Sequence, residues 1–165
     1  MSHDVLPDPV TLKMINFLRS IGLGVRIAPI TEPVFVPGIF LEAGALVVDP
    51  ASLAYPGDLL HEAGHLAIAT PERRATITGD AGSDPAEEMM AIGWSYAAAV
   101  HLQLDPAVVF HPAGYRGGSA NLLDNFTHGR YLGVPMLQWV GLTLDEHRAQ
   151  EAGVLPYPHM LRWLR

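Results

Sequence analysis

The sequence predicts a small α+β fold, with a short mixed or antiparallel sheet packed against two helices, and three observations predict it. Residues 8–22 carry apolar side chains at 3.6-residue spacing, residues 25–48 change to β-branched and aromatic types broken by proline and glycine, and residues 56–104 return to helical patterning. The chain has 165 residues, 49% hydrophobic and 16% charged, enough apolar surface to form a core, so one domain over residues 1–165 is expected and disorder is excluded.

Asp8-Pro9 reads as an N-cap and a first-turn proline, followed by an apolar face of Val10, Met14, Phe17, Leu18 and Ile21 that Gly22 and Gly24 terminate. The best strands are residues 39–42 and 45–49, joined at Glu42-Ala43-Gly44-Ala45 by a hairpin turn that lacks the favoured Asn-Gly pair. Pro56-Gly57-Asp58 opens a second helix that runs through His61 and His65 to about Ala69, where Pro71 stops it. Residues 71–83 are polar enough for a loop or a short edge strand. Asp84-Pro85 starts a long helix to about Leu104, rich in alanine and nearly uncharged after Glu88, so it must be buried on most sides. Beyond it, residues 111–118 read as a loop, 119–129 as a capped helix, 134–143 as an apolar segment of either type, 144–152 as a helix and 157–165 as an amphipathic turn. Trp94, Trp139 and Trp163 read as core aromatics.

Seventeen acidic against ten basic side chains give a net charge of -7, and Lys13 is the only lysine, which disfavours nucleic acid and anionic membranes as partners. No apolar run approaches the roughly 20 residues of a membrane span, and the first residues lack a signal-peptide pattern, so no membrane association and a cytoplasmic location are expected. The high apolar content also admits a homo-oligomer whose interface completes a site. Without cysteine, a metal site must be built from histidine and carboxylate, and eight histidines make such a site worth seeking.

The informative segment is Leu60-His61-Glu62-Ala63-Gly64-His65. Residues i and i+4 of a helix share one face, so His61 and His65 can each place a ring nitrogen about 2.0–2.1 Å from one zinc ion. Glu62 projects beside them, placed to hydrogen-bond a metal-bound water and take its proton. Two imidazoles and a carboxylate in an otherwise apolar helix cost stability unless they are partnered. A third ligand is required from another element, and here it must be His, Asp or Glu.

At these residues the sequence resembles the zincin metallopeptidases, in particular the gluzincin branch, in which a second helix donates a glutamate. Glu88-Met89-Met90-Ala91 matches that branch's donor pattern of Glu, two variable residues and a small one, so the resemblance implies Glu88 as third ligand. Glu87 is the competing candidate, although Asp84 and Glu87 also fit a capping box. The continuation Leu66-Ala67-Ile68-Ala69-Thr70-Pro71 excludes the metzincin branch, which places a glycine and a third histidine there. Residues 39–104 also resemble the small ImmA/IrrE-type domains, departing from them at the donor helix, which lacks the usual Glu-Ala-Asn and Phe-Ala.

The resemblance implies a zinc-dependent hydrolase acting on a peptide or protein substrate, with Glu62 as general base and a nearby donor for the oxyanion. Candidate donors are His111, Tyr115, Arg116, His128 and Tyr131. Tyr115-Arg116-Gly117-Gly118 is the most site-like, because its glycines allow close backbone approach while a phenol and a guanidinium supply donors. His101 reads as a core histidine, and His3, His147 and His159 as solvated. The alternative is a zincin fold without proteolysis, a metal-binding or regulatory protein; Glu62 separates the two, since a structural site has no use for it.

Overall fold

In a computed structural model that describes residues 5–165, the protein is a mixed α+β fold; His3 lies outside the described residues. Helix α1, Pro9–Ser20, begins where Asp8 accepts hydrogen bonds from Val10 N (2.9 Å) and Thr11 N (3.1 Å). Strands β1 (Val25–Ile27), β2 (Ile39–Glu42) and β3 (Ala45–Val48) form a mixed sheet in the order β1-β3-β2, with β1 parallel and β2 antiparallel to β3. The turn between β2 and β3 takes Ala43 to φ 48° and Gly44 to φ 80°, left-handed at both central positions as a two-residue hairpin of the primed type demands. The neighbouring segment supplies what Ala43 lacks in propensity: Ala43 N donates to Thr78 Oγ1 (2.9 Å) and Gly44 N to Ile77 O (3.0 Å).

The motif helix α2, Asp58–Ile68, and the alanine-rich α4, Pro85–His101, pack along each other. Leu59, Leu60, Ala63 and Leu66 of α2 share one hydrophobic cluster with Ile39, Leu41, Leu46 and Val48 of the sheet and with Trp94, Ala97 and Ala98 of α4. The last carbonyls of α2 have no intrahelical donor, and Arg74 satisfies them, donating from Nε to Leu66 O (2.7 Å) and from Nη2 to Ala69 O (2.9 Å). Pro71 therefore ends α2 but does not begin a strand or plain loop: it starts a single turn, α3 (Pro71–Arg74), that Thr70 caps and that delivers Arg74.

The second half consists of α5 (Ser119–Thr127), α6 (Val134–Trp139) and α7 (Glu146–Ala152), with a 3-10 turn at Pro106–Val108 and a left-handed turn at Tyr115–Gly117. Four expectations are corrected there or beside it. The capped helix expected over 119–129 has no side-chain cap: α5 follows Gly118, and the hydroxyl of Ser119, its first residue, donates to His111 O and Gly114 O. Residues 157–165 are not an amphipathic turn but an irregular strap, in which Leu161 N donates to Leu142 O (2.8 Å) and Trp163 O accepts from Trp94 Nε1 (2.9 Å). Trp94 is fully buried and Trp163 half-buried, but Trp139 is 90% exposed, because the inward face of short α6 is taken by Val134 and Leu137. His101 is exposed rather than a core histidine, lying over Phe17 (5.4 Å between ring centres) and Trp163 (5.2 Å) at the end of α4.

Gly57, immediately before α2, has ordinary helical angles, yet a Cβ there would lie 1.8 Å from Val108 O. Gly57→Ala should therefore lower the unfolding free energy by about 3 kcal/mol through overpacking. Gly153→Ala, at φ 69° in open space, should cost only about 1 kcal/mol. Urea titration measures both; equal losses would show that the Gly57 contact is not tight.

Candidate metal centre

His61 and His65 stand one turn apart on α2, and α4 brings Glu88 between them. The two Nε2 atoms are 3.2 Å apart, His61 Nε2 lies 3.2 Å from Glu88 Oε1 and His65 Nε2 lies 3.0 Å from Glu88 Oε2. These are the residues the sequence singles out as ligands, and their ligand atoms all fall within 4.8 Å of one another. The donor set fits zinc: ligands about 2.0–2.1 Å from a tetrahedral ion stand roughly 3.3 Å apart, close to the spacing here.

Glu87 turns away. Its carboxylate forms a two-pronged pair with Arg73, one prong Arg73 Nη2 to Glu87 Oε2 at 2.8 Å. The capping-box expectation for Glu87 is thus replaced by an ion pair with α3, while Asp84 caps α4 by accepting from Ala86 N (2.8 Å).

The cluster is buried on the α2 side and open on the α4 side: the side chains of His61 and His65 are 13% and 7% exposed, that of Glu88 44%. The opening faces a cleft of about 900 Å³ lined by His61, Glu62, Glu88, Tyr115 and, on its apolar side, Phe35 and Leu122. Burial pushes the Glu62 carboxyl above its ordinary value against the lowering charges of His61 and His65, with the carboxylates of Asp58 and Glu88 adding to the rise. Burial draws the His65 imidazole down, but the Glu88 hydrogen bond and the charges of Glu62, Glu88 and Glu87 outweigh it and the net direction is up. Glu88 is held well below the ordinary carboxylate range, first by its hydrogen bond with His61 and then by that with His65. A depressed folded value means that its stabilisation is present above about pH 4.3, the unfolded value, and is lost as pH falls toward the lowered one.

Among the candidate donors, His111, Tyr115 and Arg116 line the cleft. Tyr115 places its hydroxyl 3.2 Å from His61 Nδ1, and burial pushes its phenol far above its ordinary value, so it stays protonated. His111 is buried and bonds through Nε2 to Asp58 Oδ1 at 2.6 Å, stacked on Tyr55 with ring centres 4.1 Å apart. The other two stand elsewhere. His128 is exposed beside Asp124, and Tyr131 packs against Phe126 and Tyr157. His147 and His159 are exposed as expected.

Sequence reasoning missed Asp58 and Arg73. Asp58 stands one turn before Glu62 on the same helix, a spacing that could have marked it as a cleft residue. Nothing local signals the pairing of Arg73 with Glu87, which are 14 positions apart. No family model, no curated protein and no solved structure matches this chain.

The two glutamates should separate in a metal-competition titration. Glu88→Gln should weaken zinc binding by more than the roughly 100-fold that bounds residues outside the ligand shell, whereas Glu87→Gln should leave affinity intact and change stability by about 1 kcal/mol or less. The reverse ranking would exchange their roles.

Proposed function

We propose that this chain is a zinc-dependent hydrolase of the zincin type, with His61, His65 and Glu88 holding the ion and peptide bonds as substrate. The observation that carries the reading is the convergence of those three side chains at 3.0–3.2 Å beside Glu62, on the wall of an open cleft. Zinc bound there would supply Lewis acidity toward a carbonyl and lower the pKa of water to about 7.

Glu62 follows His61 directly and lines the cleft without being one of the three converging groups. Burial raises its carboxyl above the ordinary value, the direction a general base requires: it takes a proton from the attacking water and delivers it to the amine nitrogen as the peptide bond breaks. The Asp58 carboxylate, bonded to His111 and one turn before Glu62 on the same helix, adds to that rise. A purely structural zinc site closes its fourth position with protein, and the exposure of Glu88 toward a 900 Å³ cleft supports the catalytic reading over that alternative. Among the described residues no helix is long and apolar enough to cross a membrane.

Glu62→Gln should retain zinc and the fold while lowering turnover by about 100-fold to 10,000-fold, because an amide cannot accept the proton. Mass spectrometry of a peptide panel incubated with zinc-loaded parent and variant tests this. Cleavage that persists in the variant would remove Glu62 from the mechanism.

A further inference from the structure

Once Nε2 of His61 is given to a cation, the ring's remaining proton sits on Nδ1, and that N–H needs an acceptor. The atom facing it is the Tyr115 hydroxyl, 3.2 Å away, with the two rings edge-on at 5.4 Å between centres. The segment that delivers this hydroxyl is unusual. Tyr115 and Arg116 sit at φ 55° and φ 52°, consecutive left-handed positions that side-chain-bearing residues rarely adopt, between Gly114 and the pair Gly117-Gly118. Locally the loop is fastened by Gly114 N to His111 O at 3.0 Å, Gly117 N to Gly114 O at 3.2 Å, Gly118 N to Tyr115 O at 2.9 Å, Ser119 Oγ to Gly114 O at 3.1 Å and the Tyr115 ring edge-on to Phe110. The bond to His61 ties this loop to α2 across 54 positions of sequence.

Resting on the zinc reading above, we propose that Tyr115 is a positioning residue: its hydroxyl accepts from His61 Nδ1 and so presents a bare Nε2 to the metal, and the metal in turn holds the Tyr115–Arg116 loop closed. The phenol acts through His61, not on the substrate. A partner of this kind raises metal affinity by about 10-fold to 100-fold. Coupling is reciprocal, so bound zinc must strengthen the docked loop against opening by the same factor as docking strengthens zinc binding.

Two measurements test this, neither of them activity. The first is zinc affinity of the whole protein by competition with a chromophoric chelator: Tyr115→Phe, which keeps the ring and its packing, should bind zinc 10-fold to 100-fold more weakly. The second uses the exposed Arg116, after which trypsin cuts. Zinc should slow cleavage at Arg116–Gly117 in the parent by about the same factor and leave cleavage after the exposed Arg130 unchanged. That protection should vanish in Tyr115→Phe. Parent protein that takes up zinc with no change in cutting at Arg116, or a variant with parental affinity, overturns the role of Tyr115 while leaving the ligand assignment standing. A parent that takes up no zinc overturns both.

Discussion

Glu88 reaches two histidines on another helix because α2 and α4 pass at backbone contact distance. At the crossing is Gly64, where a Cβ would lie 3.0 Å from Ala91 O and 3.2 Å from Ala91 Cα, so a side chain there would hold the helices apart. His61 and His65 flank Gly64, and Glu88 lies three residues before Ala91. The small pair at the crossing thus sets the distance over which the carboxylate meets the rings. Ala97, Ala98 and Ala99 of α4 are fully buried, and Gly133 permits another close approach to the helix, since a Cβ there would lie 2.3 Å from Met89 O.

A buried cluster of this composition has a large desolvation cost unless its members satisfy one another. Of the three converging groups His61 bonds to Tyr115, while the neighbouring carboxylates have partners of their own: Glu87 pairs with Arg73 and Asp58 bonds to His111. Arg74 secures the far end of the motif helix and, through Arg165 O at 2.9 Å, the terminal strap as well. The result is a cluster of mutually bonded side chains on the wall of an open cleft.

Much of this was legible in the sequence where the signal was local. The N-caps at Asp8 and Asp84, the strands at 39–42 and 45–48, the motif helix and its partner helix all follow from patterns within a few residues. Helical spacing also places His61 and His65 on one face of that helix, whereas Glu88, with Glu87 as its competitor, enters only through the resemblance to a gluzincin donor helix. What was not legible depends on distant partners. Glu87 forms a plausible capping box until Arg73 is placed beside it. Trp139 has core composition, but α6 is too short to bury more than one face. Residues 157–165 look amphipathic, yet their backbone groups bond to Leu142 and their carbonyl at Trp163 to Trp94, which leaves no helix to form. The glycine-rich surroundings of Tyr115 mark it as a candidate, and it lines the cleft, but its direction depends on two left-handed residues that no periodicity announces.

In the proposed zinc site His61, His65 and Glu88 are the three protein ligands and the fourth position is open. Anomalous-difference density from crystals grown with one equivalent of zinc tests it most directly. One peak about 2.0–2.1 Å from both Nε2 atoms and a Glu88 oxygen, with the fourth position facing the cleft, is predicted. A peak elsewhere, or a shell closed by a fourth protein ligand, would contradict it.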